Sequence, residues 1–213
     1  KLNTFQIMKI SHKLQSTLLL ISFILIGNFS MAQKNSPLEI GATIPNPEDL
    51  MINVSDEKMS LINNFNENGL LVVFSCNTCP FVIMWEDRYR QLEKMCQTNN
   101  VGMVYINSNE AKRDGDDSLE AMKNHAKTMG YTFPYLIDQN SVLANAFGAK
   151  TTPHVFLFNK NKKLVYKGAI DDNYRDISQV NETYLLDAIE QMVKGVDIHT
   201  KKTNAKGCSI KRK

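Results

Sequence analysis

Leu70–Phe74 is a run of apolar residues that stops just short of a Cys-x-x-Cys pair, Cys76 and Cys79. Leucine, valine and phenylalanine in unbroken sequence suit a strand buried on both faces. Pro80 follows at once, and then Phe81–Trp85 leads into a charged stretch in which Tyr89, Leu92 and Met95 recur at helical spacing. Proline is tolerated in the first turn of a helix, where its missing N–H would have no partner. The local order is therefore strand, Cys-x-x-Cys, helix. That placement has chemical meaning, because the thiolate is the nucleophile and a free cysteine is only about 3% ionised at pH 7. The positive end of a helix and its unpaired N–H groups favour the anion. A downward shift of about 1.5 pKa units, worth about 2 kcal/mol, would ionise half of it. Cys76, at the strand end, is the expected attacking thiol. Cys79, on the helix, is the expected partner that closes the disulfide and releases a mixed-disulfide intermediate.

The first 32 residues read as a signal peptide. Lys9, His12 and Lys13 precede the apolar run Leu18–Ile26, which is short for a bilayer span, and Ser30 and Ala32 offer small residues for cleavage before Gln33. The expectation is an exported, periplasmic protein with no stable membrane insertion after processing. The charges of this leader are Lys1, Lys9 and Lys13, so residues 33–213 carry equal numbers of basic and acidic side chains. That balance gives no reason to expect nucleic acid as a partner. Residues 33–198 read as one domain and 199–213 as a solvated basic tail, with Lys201, Lys202, Lys206, Lys211, Arg212 and Lys213. Export places Cys76, Cys79, Cys96 and Cys208 where disulfides persist. A chain this long needs no disulfide to fold, which weakens a purely structural role for Cys76 and Cys79.

Along the chain, Leu50–Val54 and Met59–Ile62 suggest a small hairpin, and Val101–Ile106 a second buried strand. Ser118–Met129 is helical and stops at Gly130; Phe133–Ile137 is extended; Asn140 is placed to cap a helix over Ser141–Phe147. His154–Phe158 and Leu164–Ile170 flank a turn, and Tyr184–Val193 forms a last amphipathic helix before Gly195. Strands alternating with helices imply parallel pairing, and the late tight turn implies an antiparallel pair. The result is an α/β chain with a mixed central β-sheet flanked by helices.

Cys76-x-x-Cys79 after a buried strand, Thr152-Pro153 entering a strand, and the late hairpin and helix together resemble the thioredoxin fold. The insertion between Val101 and Phe147 and the lead-in Gly41–Pro45 are similar to redoxins of the alkyl hydroperoxide reductase and thiol-specific antioxidant type. Cys76–Pro80, Gly168–Asn173 and Gly207–Ile210 resemble a peroxiredoxin-like thioredoxin subfamily. The resemblance implies an oxidoreductase with Cys76, Cys79 and Pro153 as catalytic residues and no cofactor. It implies that Pro153 is cis and packs beside the cysteines, and that Thr152 and Pro153 bind the substrate by offering main chain to a peptide. The implied partners are a protein thiol or disulfide and an unidentified electron donor or acceptor. The chain also departs from the pattern. Ser75 stands where thioredoxins have tryptophan, Asn77-Thr78 replaces Gly-Pro, and the strand lacks the usual buried acid. Against the peroxiredoxin pattern, Cys79 matches the peroxidatic cysteine, Cys76 replaces a threonine, and Pro153-His154 falls where an arginine is expected. Losing a donor that polarises peroxide favours dithiol–disulfide exchange over peroxide reduction, which stays the alternative.

Other groups are weighed beside these. Cys96 fits a buried apolar position on the first helix. Cys208 has three open fates: pairing with Cys96, resolving a mixed disulfide, or staying free. His154 is a possible auxiliary proton carrier, though such a histidine more often packs. Asp138, Asp171, Asp172, Glu86 and Asp87 read as turn and surface carboxylates. One Cys-x-x-Cys without a second pair is a poor zinc site, so no metal is expected. A non-enzymatic module stapled by Cys76–Cys79 is a further alternative. It is disfavoured because closing so small a loop stabilises little.

Overall fold

A computed structural model describes residues 37–213. The expected leader lies outside these residues. The strands are β1 (Met51–Asn53), β2 (Lys58–Met59), β3 (Gly69–Ser75), β4 (Gly102–Asn107), β5 (Tyr135–Ile137), β6 (Thr151–Thr152), β7 (His154–Asn159), β8 (Leu164–Gly168) and β9 (Cys208–Ser209). The α-helices are α1 (Pro80–Thr98), α2 (Leu119–Met129), α3 (Val142–Phe147) and α4 (Tyr184–Lys194). The seven-stranded sheet has the order β2-β1-β5-β4-β3-β7-β8. β3 runs parallel to β4 and antiparallel to β7, which places the strand before the cysteines at the centre of the sheet. The mixed sheet flanked by helices is what the sequence pattern implies.

Alternation along the strands divides the core in two. Leu71, Val73, Met103, Tyr105, Val155 and Leu157 face α1, α2 and α4, where they meet Val82, Trp85, Leu92, Met122 and Ile189. Leu70, Val72, Phe74, Val104, Phe156 and Phe158 face the other way, onto Leu143 and Phe147 of α3. Because helices or loops cover both faces, the central strands show no polar alternation, and all seven residues of β3 are buried. α2 starts at Ser118, whose hydroxyl accepts the Ala121 amide at 3.3 Å, and stops at left-handed Gly130.

Two expectations change here. The cap of α3 is Asp138, not Asn140: its carboxylate accepts the amides of Leu143 at 2.8 Å and Ala144 at 2.9 Å. Asn140 instead takes a left-handed conformation just upstream. The larger correction concerns residues 199–213, which are no free tail. Lys201 and Thr203 bond the main chain of Lys167, and Thr203 packs against left-handed Gly168, where a β-carbon would lie 2.1 Å from its hydroxyl oxygen. Beyond Cys208, buried Ile210 joins the α3-side core and its amide bonds to Lys150. Lys211 bonds Asn109, and Arg212 bonds Asn145. The lysines are solvated, as their charge requires, while the main chain between them docks.

Candidate functional site

β3 delivers Cys76 to the edge of α1, and Cys79 is the residue that precedes the helix, with Pro80 in its first turn. The Thr78 and Cys79 amides point at the Cys76 sulfur. Across from them the Thr152–Pro153 peptide is cis. The Thr152 hydroxyl lies 3.2 Å from the Cys76 sulfur, and its carbonyl oxygen lies 3.3 Å from the Cys79 sulfur. One residue thus meets both cysteines. Cys79 is joined to Cys208 by a disulfide, with the α-carbons 6.1 Å apart and the two residues separated by 129 in sequence. Cys76 and Cys96 are free.

The Cys208 segment closes the site by strand pairing. β9 pairs antiparallel with β6, Cys208 opposite Thr152. Gly207 permits this approach, since a β-carbon there would sit 2.2 Å from the Thr152 carbonyl oxygen. With that cover in place Cys76 is 1% and Cys79 5% exposed. Burial consequently pushes the Cys76 thiol up, and the hydrogen bond from Thr152 and the two amides offset only part of it. The depressed pKa expected at a helix terminus is not found in this closed state, because desolvation outweighs the local donors.

A polar network behind the cysteines holds a buried carboxylate, Asp117. Asp117, fully buried, accepts the Asn77 amide at 3.0 Å, Asn107 at 2.7 Å and Asn109 at 2.9 Å. Tyr135 donates to the side-chain oxygen of Asn77 at 2.9 Å. The Asp117 charge acts to raise the Cys76 pKa. Sequence reasoning passed over Asp117, because it comes from the loop after β4, across a parallel pairing. The only signal was the density of Asn and Asp between Asn107 and Asp117.

The remaining candidates separate clearly. His154 is buried against Phe156, with ring centres 4.4 Å apart, on the sheet face opposite Val73. Burial, with Lys167 and Lys150, lowers its pKa to about 4, and its Nδ1 has no partner. It packs there as a neutral ring. Cys96 is buried and pushed up to about 12, as befits an inert thiol. Three carboxylates read as surface groups are buried instead. Glu86 lies 2.6 Å from His125 Nε2 and accepts from Tyr131 at 3.2 Å. Asp171 accepts from Arg88 at 3.1 Å, and Asp138 caps α3. Among the described residues, no group of three or more His, Cys, Asp or Glu side chains is placed to hold a metal, and no helix is long and apolar enough to cross a membrane.

A central strand ending in Cys-x-x-Cys at a helix start, with a cis-proline opposite, is the arrangement of thioredoxin-like proteins, and the fold is theirs. Residues 39–184 match Redoxin, and the chain belongs to that family. It is similar to crystal structures of a hypothetical protein from Sinorhizobium meliloti 1021 and an uncharacterized conserved protein from Geobacillus kaustophilus. These have TM-scores of 0.76 and 0.75 and identities of 29% and 31%; they cover 84% and 82% of this chain and 97% and 93% of their own. The thiol-disulfide oxidoreductase ResA of Geobacillus thermodenitrificans strain NG80-2 is 22% identical over 131 residues, 62% of this chain and 70% of ResA.

Proposed function

We infer that this redoxin is an exported thiol–disulfide oxidoreductase that acts on protein disulfides through Cys76 and Cys79. The carrying observation is the meeting of both cysteines on Thr152, the residue before cis-Pro153. Cys76 supplies the nucleophile, and Cys79 is the sulfur at which the disulfide forms and breaks. Thr152 and Pro153 are the platform for the peptide, which fits the strand already paired to Thr152. The buried network around Asp117 fixes the Cys76–Cys79 loop through Asn77. The basic, apolar N-terminal segment up to Ala32 supports export, and a protein thiol or disulfide is the substrate class. The direction of exchange is set by the reduction potential. A value near roughly −270 mV makes the protein a reductant, and one near roughly −120 mV an oxidant.

The test is turnover of a disulfide-bonded peptide with dithiothreitol as electron source. Cys76→Ser is expected to lower turnover at least about 100-fold, since no thiolate then opens the Cys79 disulfide from within. Turnover near the wild-type rate would sink the assignment. One observation favours a second reading. A Cys79 thiolate oxidised by a hydroperoxide to its sulfenic acid, then condensed with Cys208, would leave the same Cys79–Cys208 disulfide, releasing an alcohol and water. That path does not need Cys76. A single, stoichiometric burst of peroxide consumption by reduced Cys76→Ser protein would establish it, and no burst would remove it.

A further inference from the structure

The cysteine that faces the solvent side of this site lies outside the Cys-x-x-Cys. Cys76 and Cys79 are buried, whereas Cys208 is half-buried and flanked by exposed Lys206 and Ser209. Cys208 also occupies the place where a peptide would pair with the platform, opposite Thr152. The segment that carries it is held on both sides by contacts that involve no sulfur. Thr203 bonds Lys167 and Tyr166 on one side; on the other, Ile210 bonds Lys150, Lys211 bonds Asn109 and Arg212 bonds Asn145. Opening the disulfide leaves those anchors intact, so Cys208 stays over the platform in the reduced protein. A peptide that approaches Thr152 meets Cys208 first.

We propose that Cys208 is the client-facing thiol of a three-cysteine relay, in which the C-terminal strand presents it in front of Cys79 and Cys76. This rests on the exchange function proposed above. In the reduced protein the Cys208 thiolate attacks one sulfur of a client disulfide, forming a mixed disulfide and releasing one client thiolate. Cys79 then attacks the Cys208 sulfur, which forms Cys79–Cys208 and releases the second client thiolate. The client has gained two electrons and the protein has lost two, reaching the disulfide seen in the structure. Cys76 next attacks Cys79, forming Cys76–Cys79 and freeing Cys208. This last exchange moves one proton from the Cys76 sulfur to the Cys208 sulfur and changes no oxidation state. A small dithiol, oxidised to its own disulfide, returns Cys76–Cys79 to two thiols. The same steps run backwards for client oxidation.

Two measurements test the role of Cys208. Reduced wild-type protein is pulsed with iodoacetamide and mapped by mass spectrometry. Cys208 is expected to be labelled at least about tenfold faster than Cys76 or Cys79, because reactivity follows access. Separately, reduced Cys79→Ser protein is mixed with one equivalent of a disulfide-bonded peptide, and the trapped adduct is expected on Cys208. Faster labelling of Cys76, or an adduct on Cys76, overturns the role of Cys208 while wild-type turnover keeps the exchange function standing. A wild-type chain that does not exchange with the peptide at all overturns both.

Discussion

Cys79 and Cys208 are the two ends of one disulfide, yet they are carried by regions of very different construction. Cys79 follows a strand whose residues Leu70–Phe74 are completely buried, paired on both edges and packed on both faces. Each such side chain contributes about 1.5–3 kcal/mol from burial alone. Cys208 sits on a two-residue strand at the margin of the α1-side core, with buried Ile210 two residues on, and the segment is otherwise held by main-chain and polar contacts. Such contacts are worth about 0.5–1.5 kcal/mol each. The first region ties its cysteine to the core of the domain. The second can yield locally at Cys208 while its anchors on either side hold, as elements near functional sites commonly do. A rigid half and a yielding half are what a disulfide that must open requires.

The largest effect should therefore come from the rigid half. Phe156 stacks edge-on against Phe74 and Phe147, with ring centres 5.6 and 5.2 Å away. Phe156→Ala is expected to lower unfolding stability by about 3–5 kcal/mol in denaturant titration, through lost burial and a cavity. A loss below about 1 kcal/mol would break the contrast, because the core would then hold the cysteines no more firmly than the C-terminal strand does.

His154 lies where the two halves meet. It packs on Phe156, and the charge of Lys150, whose carbonyl holds Ile210, helps depress it. A pKa of about 4 in the fold, against an ordinary 6.5, means that the unfolded chain binds the extra proton between those values. Stability should rise with pH across that window, by up to about 3 kcal/mol, and be fully present above pH 6.5. His154→Phe removes the group. Comparing the unfolding midpoints of both proteins at pH 4.5 and pH 7.5 isolates its share, and identical pH dependence would show that His154 binds its proton equally well in the folded and unfolded chain.

The rigid half was legible in the sequence and most of the yielding half was not. Apolar runs such as Leu70–Phe74 and His154–Phe158, with the helix starting at Pro80, mark a central strand and its chemistry without any long-range knowledge. Asp117 and Cys208 escape the same reasoning for one reason. Their placement depends on which strands become neighbours and on close main-chain approach, neither of which leaves a periodic signal. The lysines around Cys208 misdirect further, since charge reads as solvation while the backbone beneath them is paired. The stretch Gly207–Ile210 was visible only as a family resemblance, and what it does follows from its register with Thr152.

The smallest change in overall stability should come from Gly207→Ala, and it separates the two halves most sharply. A β-carbon at Gly207 would lie 2.2 Å from the Thr152 carbonyl oxygen and 2.6 Å from its carbon, both main-chain atoms that cannot swing aside. The β6–β9 pairing must loosen, at a cost to the reduced protein of no more than about 1 kcal/mol in unfolding, since few hydrogen bonds and little apolar area are involved. Closure of the disulfide depends directly on that pairing, which holds Cys208 opposite Thr152. A cost of about 1.4 kcal/mol to closure corresponds to tenfold less Cys79–Cys208 at a fixed glutathione ratio. Quantifying that disulfide by mass spectrometry beside a denaturant titration reads both effects in one protein. Equal loss of stability and of disulfide would show that the C-terminal strand is part of the same cooperative unit as the core. Loss of the disulfide alone would show a cover that opens by itself, with Gly207 as the residue that lets it shut.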